Sequence, residues 1–171
     1  ADGWNIRIFL FCGLLGALVG MLSKTGAAQA FGVWMSKKLK SGTASQFATF
    51  IFGLIVFIDD YFNSLTVGTV MRPINDKNRV ARAKLAYILD STAAPVCILA
   101  PVSSWVVTVM SIVRNAEGFD KLGISDFEFF IRAVPYNLYA LMTLLMVLVV
   151  IFFKRDFGPM KRSENLAKES G

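Results

Sequence analysis

The 171-residue chain contains no histidine. That absence excludes His-based metal sites, Ser-His hydrolases and Cys-His nucleophile pairs together. Cysteine is scarce as well. Its two cysteines, Cys12 and Cys97, both lie in apolar runs, which argues against a disulfide framework or a zinc site. Charge is thin: 18% of residues are charged against 55% hydrophobic, and mean hydropathy is +0.56. A soluble domain of this length carries more charge and shorter apolar runs. The chain does not begin with methionine, which predicts a fragment of a longer protein, and no signal-peptide pattern is read ahead of a soluble domain.

What is present is a set of long uncharged runs. Ser91–Val113 and Ala133–Phe153 each reach the about 20 residues that a helix needs to cross a hydrocarbon core. One such run fits a large soluble core; several do not. The expectation is an all-α integral membrane protein. The net charge of +6 is no nucleic-acid signal, because the basic residues cluster in short loops where membrane topology accounts for them.

Along the chain, residues 1–43 predict a hairpin-like membrane segment and loop. Within it, the apolar run Ile8–Ser23 is short for a span, and Ser23-Lys24-Thr25-Gly26 interrupts it before a second short run ends near Ser36. A single span followed by an amphipathic piece and a re-entrant hairpin both fit. Residues 44–71 predict a broken transmembrane helix ended by Arg72-Pro73. A basic loop follows at 72–84, two further membrane segments at 85–153 (the last from about Phe129), and a cytoplasmic loop or tail at 154–171. All belong to one membrane domain. Positive residues mark the cytoplasmic side. The 72–84 loop and the tail fit this rule, whereas Lys37–Lys40 breaks it unless one segment fails to cross.

Within 44–71 stands Phe57-Ile58-Asp59-Asp60-Tyr61-Phe62-Asn63-Ser64. Asp59 is about 13 residues from Gln46 and 12 from Met71, roughly 20 and 18 Å of helix, which places it near a bilayer midplane. Carboxylates at that depth mark an ion or proton path. Asn63 and Ser64, three to five positions on, fit either a helix face or an unwound turn shared with the aspartates, and add oxygen ligands suited to a hard cation such as sodium. The poor helix formers here predict a local break, with half-helix ends at the site as in secondary transporters. Two adjacent acids in a site of low dielectric resist ionising together, so the pair can trade a proton for a cation.

Asp90, Ser91, Thr92, Ser103 and Ser104 form a second oxygen-rich stretch, kinked by Pro95 and Pro101, which free the carbonyls of Ser91 and Cys97. Asp90 also fits an interfacial position. An intramembrane aspartyl protease is disfavoured, because Tyr87-Ile88-Leu89 stands where Gly-x-Gly would precede the second aspartate. A membrane-embedded interaction subunit is the reading outside transport.

At these stretches the sequence resembles the NhaC-type Na+/H+ antiporter family, within the ion-transporter superfamily. The resemblance rests on Phe57–Asn63, Val67–Pro73, Lys84–Pro95, Ala100–Trp105 and Asp156–Met160. It implies longer proteins built from two inverted repeats, of which this chain is roughly the first. It favours the re-entrant hairpin for residues 8–36, with Lys24, Thr25 and Gly26 approaching Asp59–Asn63. The implied activity is exchange of sodium for protons across the bacterial inner membrane by a multi-pass transporter, not an enzyme. A sodium-coupled exchanger of small carboxylates (malate, lactate) or amino acids is the alternative, with Lys24 holding the substrate carboxylate. In this reading Asp59, Asp60, Asn63 and Ser64 bind Na+ and H+. Lys24, Thr25, Gly26, Asp90, Ser91, Thr92, Ser103 and Ser104 line the cavity. The expected partners are the lipid bilayer, the missing remainder of the transporter and, as one form of assembly, a second copy in a homodimer. No cofactor, resident metal or nucleic acid is expected.

Overall fold

The computed structural model describes residues 37–154, 156–170 and, ahead of them, 10, 13, 14, 16, 17, 20, 21, 24–26, 30, 34 and 35. Cys12 and the choice between a span and a hairpin over 8–36 fall on residues outside the described set. Thr25 and Gly26 form a turn after helical Lys24, with Gly26 at φ 69, a left-handed value that suits a residue without Cβ. Among the described residues there is no strand.

From Gly42 the continuous helices are α1 (Gly42–Ile55), α2 (Asp60–Lys77), α3 (Arg82–Leu99), α4 (Ser104–Arg114), α5 (Asp126–Ala133), α6 (Leu138–Phe153) and α7 (Gly158–Ser170). Each of the first two has a side-chain cap. Ser41 accepts from Ala44 N–H at the start of α1, and Asp59 accepts from Phe62 N–H at the start of α2.

The chain breaks inside the expected 44–71 helix, but it also reverses there. Asn63 Nδ2 donates to Gly53 O at 2.8 Å, Asn75 Nδ2 to Thr49 Oγ1 at 2.9 Å, and Ser45 Oγ to Asn75 Oδ1 at 3.1 Å. Early residues of α1 therefore meet late residues of α2, and the two are antiparallel. The stretch read as one broken transmembrane helix is a helical hairpin. Ser45, Thr49 and Gly53, four residues apart and all buried, give α1 a small face on which α2 and α3 pack closely. A Cβ on Gly53 would stand 2.8 Å from Thr92 Oγ1.

Two further boundaries differ from expectation. Asn63 and Ser64 lie inside α2 rather than in the break, because Asp59 is a strong N-cap that starts the helix ahead of them. Arg72-Pro73 does not end α2, which carries Pro73 internally and runs on to Lys77. Its last turns are held by buried Ile74 and Asn75, the latter also donating to Met71 O at 3.0 Å.

Helices α3 and α4 form a pair bent by 48°. Pro101 lies in the break, and its missing N–H leaves Cys97 O without a helical partner. Ser103 Oγ donates to that carbonyl at 2.6 Å and accepts from Val106 N–H, so one side chain repairs the end of α3 and caps α4. Pro95, by contrast, sits within α3. The last expected span is interrupted too. Pro135 falls in a 3-10 turn at Val134–Tyr136, and Asn137 Oδ1 then accepts from Ala140 N–H to start α6 afresh.

Phe50, Ile88, Val147 and Ile151 join α1, α3 and α6 in one core; Val67, Met71, Ile74 and Leu85 join α2 to α3 in another. By length and composition, one helical stretch starting at Leu138 is long and apolar enough to cross a membrane, and the bent α3–α4 pair also passes when taken together. The tail, expected as a solvated loop, forms α7 and docks. Lys84 Nζ lies 2.7 Å from Asp156 Oδ1 and 3.9 Å from Glu164 Oε1, with the three side chains 3%, 6% and 4% exposed. Glu164 Oε2 also accepts from Ala81 N–H at 2.9 Å, capping α3, which has no local side-chain cap.

The hairpin accounts for the basic cluster that broke the topology rule. A Cβ on Gly42 would sit 3.3 Å from Asn78 O, so the start of α1, just past Lys37–Lys40, lies at the Arg72–Lys84 end. The Lys84–Asp156 contact brings the tail there as well. All three basic segments share one end of the fold.

Candidate functional site

At the opposite end the two helix breaks touch. Ser104 N–H donates to Ile58 O at 2.9 Å, and Ser104 Oγ donates to Asp59 Oδ2 at 2.9 Å. Asp59 Oδ1 accepts from Phe62 N–H at 3.0 Å. One carboxylate, 6% exposed, thus caps α2 and ties it to the first residue of α4. The N-termini of both helices converge on it, and their partial positive charge attracts a negative group placed there.

Asp60, in the first turn of α2, is half-buried and has no described hydrogen bond or ion pair. Ser64 follows four residues on, on the same side of the helix. The stripe continues through Gly68 and Arg72, which line a groove of about 390 Å³ between α2 and α3. Cys97 is fully buried within electrostatic range of both aspartates.

Asn63 lies one turn beyond Asp59 and is 0% exposed. Its amide nitrogen is used on Gly53 O, while its Oδ1 is buried without a hydrogen-bond partner. Thr92, also fully buried, packs on the other side of Gly53 and donates to Ile88 O at 2.7 Å. Asp59, Asn63, Ser103 and Ser104 are therefore brought together, with Asp60 and Ser64 beside them and Thr92 behind Gly53.

The remaining sequence candidates stand apart. Asp90 is exposed on α3, two residues and about 200° of helix turn from Thr92, so it faces away from the hairpin. Ser91 and Tyr87 border a separate groove of about 500 Å³ between α3 and α6. Lys24 and Thr25 are exposed and Gly26 half-buried, and no described ion pair joins Lys24 to Asp59.

Sequence reasoning missed Thr66, whose Oγ1 is buried without a hydrogen-bond partner. It falls at i+7 from Asp59 and i+3 from Asn63, a spacing that puts all three on one helix face. Lys84, Asp156 and Glu164 were read as loop charges. Their partners are far apart in sequence, and nothing local signals that the tail folds back.

Residues 96–170 match the sequence profile of the Na+/H+ antiporter family. An uncharacterised protein of Haemophilus influenzae is 38% identical over 164 residues, which cover 95% of this chain and 32% of that protein. The chain thus spans about a third of the curated relative it matches. No solved structure matches it. The profile match supports a transporter as the broad class.

Proposed function

We propose that this chain is part of a sodium-coupled secondary transporter of the NhaC type, which exchanges Na+ for H+ across the bacterial inner membrane. The observation that carries the reading is the meeting of the two breaks at Asp59, with Asp60, which has no described partner, alongside and the unpartnered Asn63 Oδ1 one turn on. In this reading the end with the basic segments is cytoplasmic. The α1–α2 hairpin enters from that side and returns to it, α3–α4 leaves across the membrane, and α6 comes back. α1 and α2 are about 21 and 27 Å long, so the tip is well inside a hydrocarbon core of about 30 Å.

Asp59 and Asp60 take Na+ and H+ in competition. Asp59 is held by Phe62 N–H and Ser104 Oγ, and Asp60 is the freer acceptor. When the pair is protonated its attraction for the cation falls; when sodium arrives it favours loss of the proton. Asn63 supplies a neutral oxygen, and Ser64 extends the coordination on the Asp60 side. The sodium is substrate, not a resident cofactor. The remainder of the longer protein, and a second copy if a dimer forms, complete the cavity.

A sodium-coupled exchanger of small carboxylates is the second reading. It is favoured by the two helix N-termini at the tip, which also suit an anionic substrate. The test is proton exchange by the full-length protein in inverted vesicles, with sodium, lithium and potassium added in turn. Asp60→Asn and Asp59→Asn are expected to insert normally and lose sodium-dependent exchange. Variants that match the parent would overturn the proposal, and uptake of labelled malate or lactate would favour the second reading.

A further inference from the structure

Thr49, Thr69, Thr92 and Thr108 each donate to the carbonyl four residues back, at 2.8, 2.7, 2.7 and 3.2 Å. That bond is the usual way for a helical threonine to satisfy its hydroxyl. Thr66 does not make it, although its Oγ1 is buried, and neither this atom nor Asn63 Oδ1 has any hydrogen-bond partner. A buried polar atom left unpaired costs about 1–3 kcal/mol, and native proteins keep few of them without a ligand or an ordered water. Two such atoms lie three residues apart on one face of α2, below a capping carboxylate.

The Asn63 amide cannot relieve the deficit by turning over. Its Nδ2 is fixed on Gly53 O at 2.8 Å, and a flip would set its oxygen against that carbonyl. Asn63 therefore presents an acceptor, and Thr66 has its hydroxyl oxygen uncommitted. Oxygen acceptors without donors of their own are the ligand type of a hard cation.

We propose that Asn63 Oδ1 and Thr66 Oγ1 form the neutral, desolvated half of a binding station for a monovalent hard cation, sodium, whose charge is supplied by the carboxylates at the tip. The inference rests on the transport reading above. It assigns Thr66 as a ligand and makes the Asp59–Asn63–Thr66 face of α2 the line along which the ion is held. The Asp59–Asp60 pair supplies the charge; the Asn63–Thr66 pair supplies neutral oxygens that tell sodium from a proton, since a proton needs only a carboxylate.

The experiment uses the full-length protein in inverted vesicles, reading the half-saturating sodium concentration and the maximal rate separately. Thr66→Val, which keeps the shape and removes the oxygen, is expected to raise half-saturating sodium about tenfold or more, the loss of one ligand to a charged group. The maximal rate and its pH profile should change far less. Thr66→Ser, which restores an oxygen, should recover near-parental sodium dependence, as a packing defect would not. If Thr66→Val inserts normally and its sodium dependence equals the parent's, the pair holds water and the station is disproved. Loss of exchange in Asp60→Asn alongside an unaffected Thr66→Val would sink the station and leave the antiporter reading standing. Parental exchange in both would sink both.

Discussion

The two ends of the hairpin handle buried polarity in opposite ways. At the basic end, Lys84 faces Asp156 and Glu164, Glu164 also caps α3 through Ala81 N–H, and Lys168 stands 3.7 Å from Glu164. The Asp156 oxygen there makes an ion-pair contact with Lys84 without a directed hydrogen bond. Each charge nevertheless has an opposite charge beside it. At the tip, Asp59 is bonded on both oxygens, yet Asn63 and Thr66 keep buried atoms with no hydrogen-bond partner, and Asp60 has no described one. Neutralised charge fastens the tail helix to the broken helix. The unmet acceptors at the tip are what the proposed ion would satisfy.

The comparison has its largest expected consequence at the basic end. Lys84→Met leaves two buried carboxylates without their shared cation and is expected to cost about 3–5 kcal/mol of stability, seen as a lower unfolding temperature in detergent. Lys84→Met with Asp156→Leu should recover much of that loss, because removing both partners of the contact removes the uncompensated charge. An undisturbed Lys84→Met single variant would mean that α7 is not docked as described.

A smaller effect belongs to the tip. Ser104→Ala removes one of the two bonds to Asp59 and loosens the contact between the breaks, at about 1–2 kcal/mol. Its sodium dependence should shift more than its unfolding temperature does, whereas a merely structural contact would show the reverse.

The smallest effect is expected at an exposed pair away from both ends. Arg114 holds Asp126 between α4 and α5, and its guanidinium lowers the Asp126 carboxyl below the usual carboxylate range. A depressed folded value means the contribution is present above the unfolded carboxyl's titration and lost as pH falls through the lowered one. Asp126→Asn should therefore lower the unfolding temperature slightly near neutral pH, and the difference from the parent should vanish in acid. A gap that persists at acid pH would assign the effect to packing.

Part of the candidate site's polar character was legible before the fold: the acids at Asp59 and Asp60, an oxygen at Asn63 and the carbonyl freed by Pro101 follow from side-chain chemistry and local rules. The bond from Ser104 to Asp59 does not, because its partners are far apart in sequence. The depth of Asp59 was measured from two opposite surfaces, whereas α1 and α2 both run back from it to the same end of the fold. Of the two readings of Asn63 and Ser64, the shared helix face holds and the unwound turn does not, because the capping strength of Asp59 outweighs their low helix propensity. Thr66 was within reach through its spacing from Asn63, but a threonine in an apolar run carries no signal until its hydroxyl is seen to lack the usual back-bond.

Composition, apolar periodicity and capping residues by themselves determined an all-helical chain, its main interruptions and the chemical character of its polar stretch, because each depends on residues within a few positions of one another. Hydropathy cannot distinguish a helix that continues across a break from one that turns back, since both bury the same residues. That choice rests on contacts such as Asn75 with Ser45 and Thr49, and Asn63 with Gly53. The same holds for Lys84 and Asp156, whose pairing depends on where α6 returns the chain. Only the tertiary structure decided which polar atoms were satisfied and which were left without a partner.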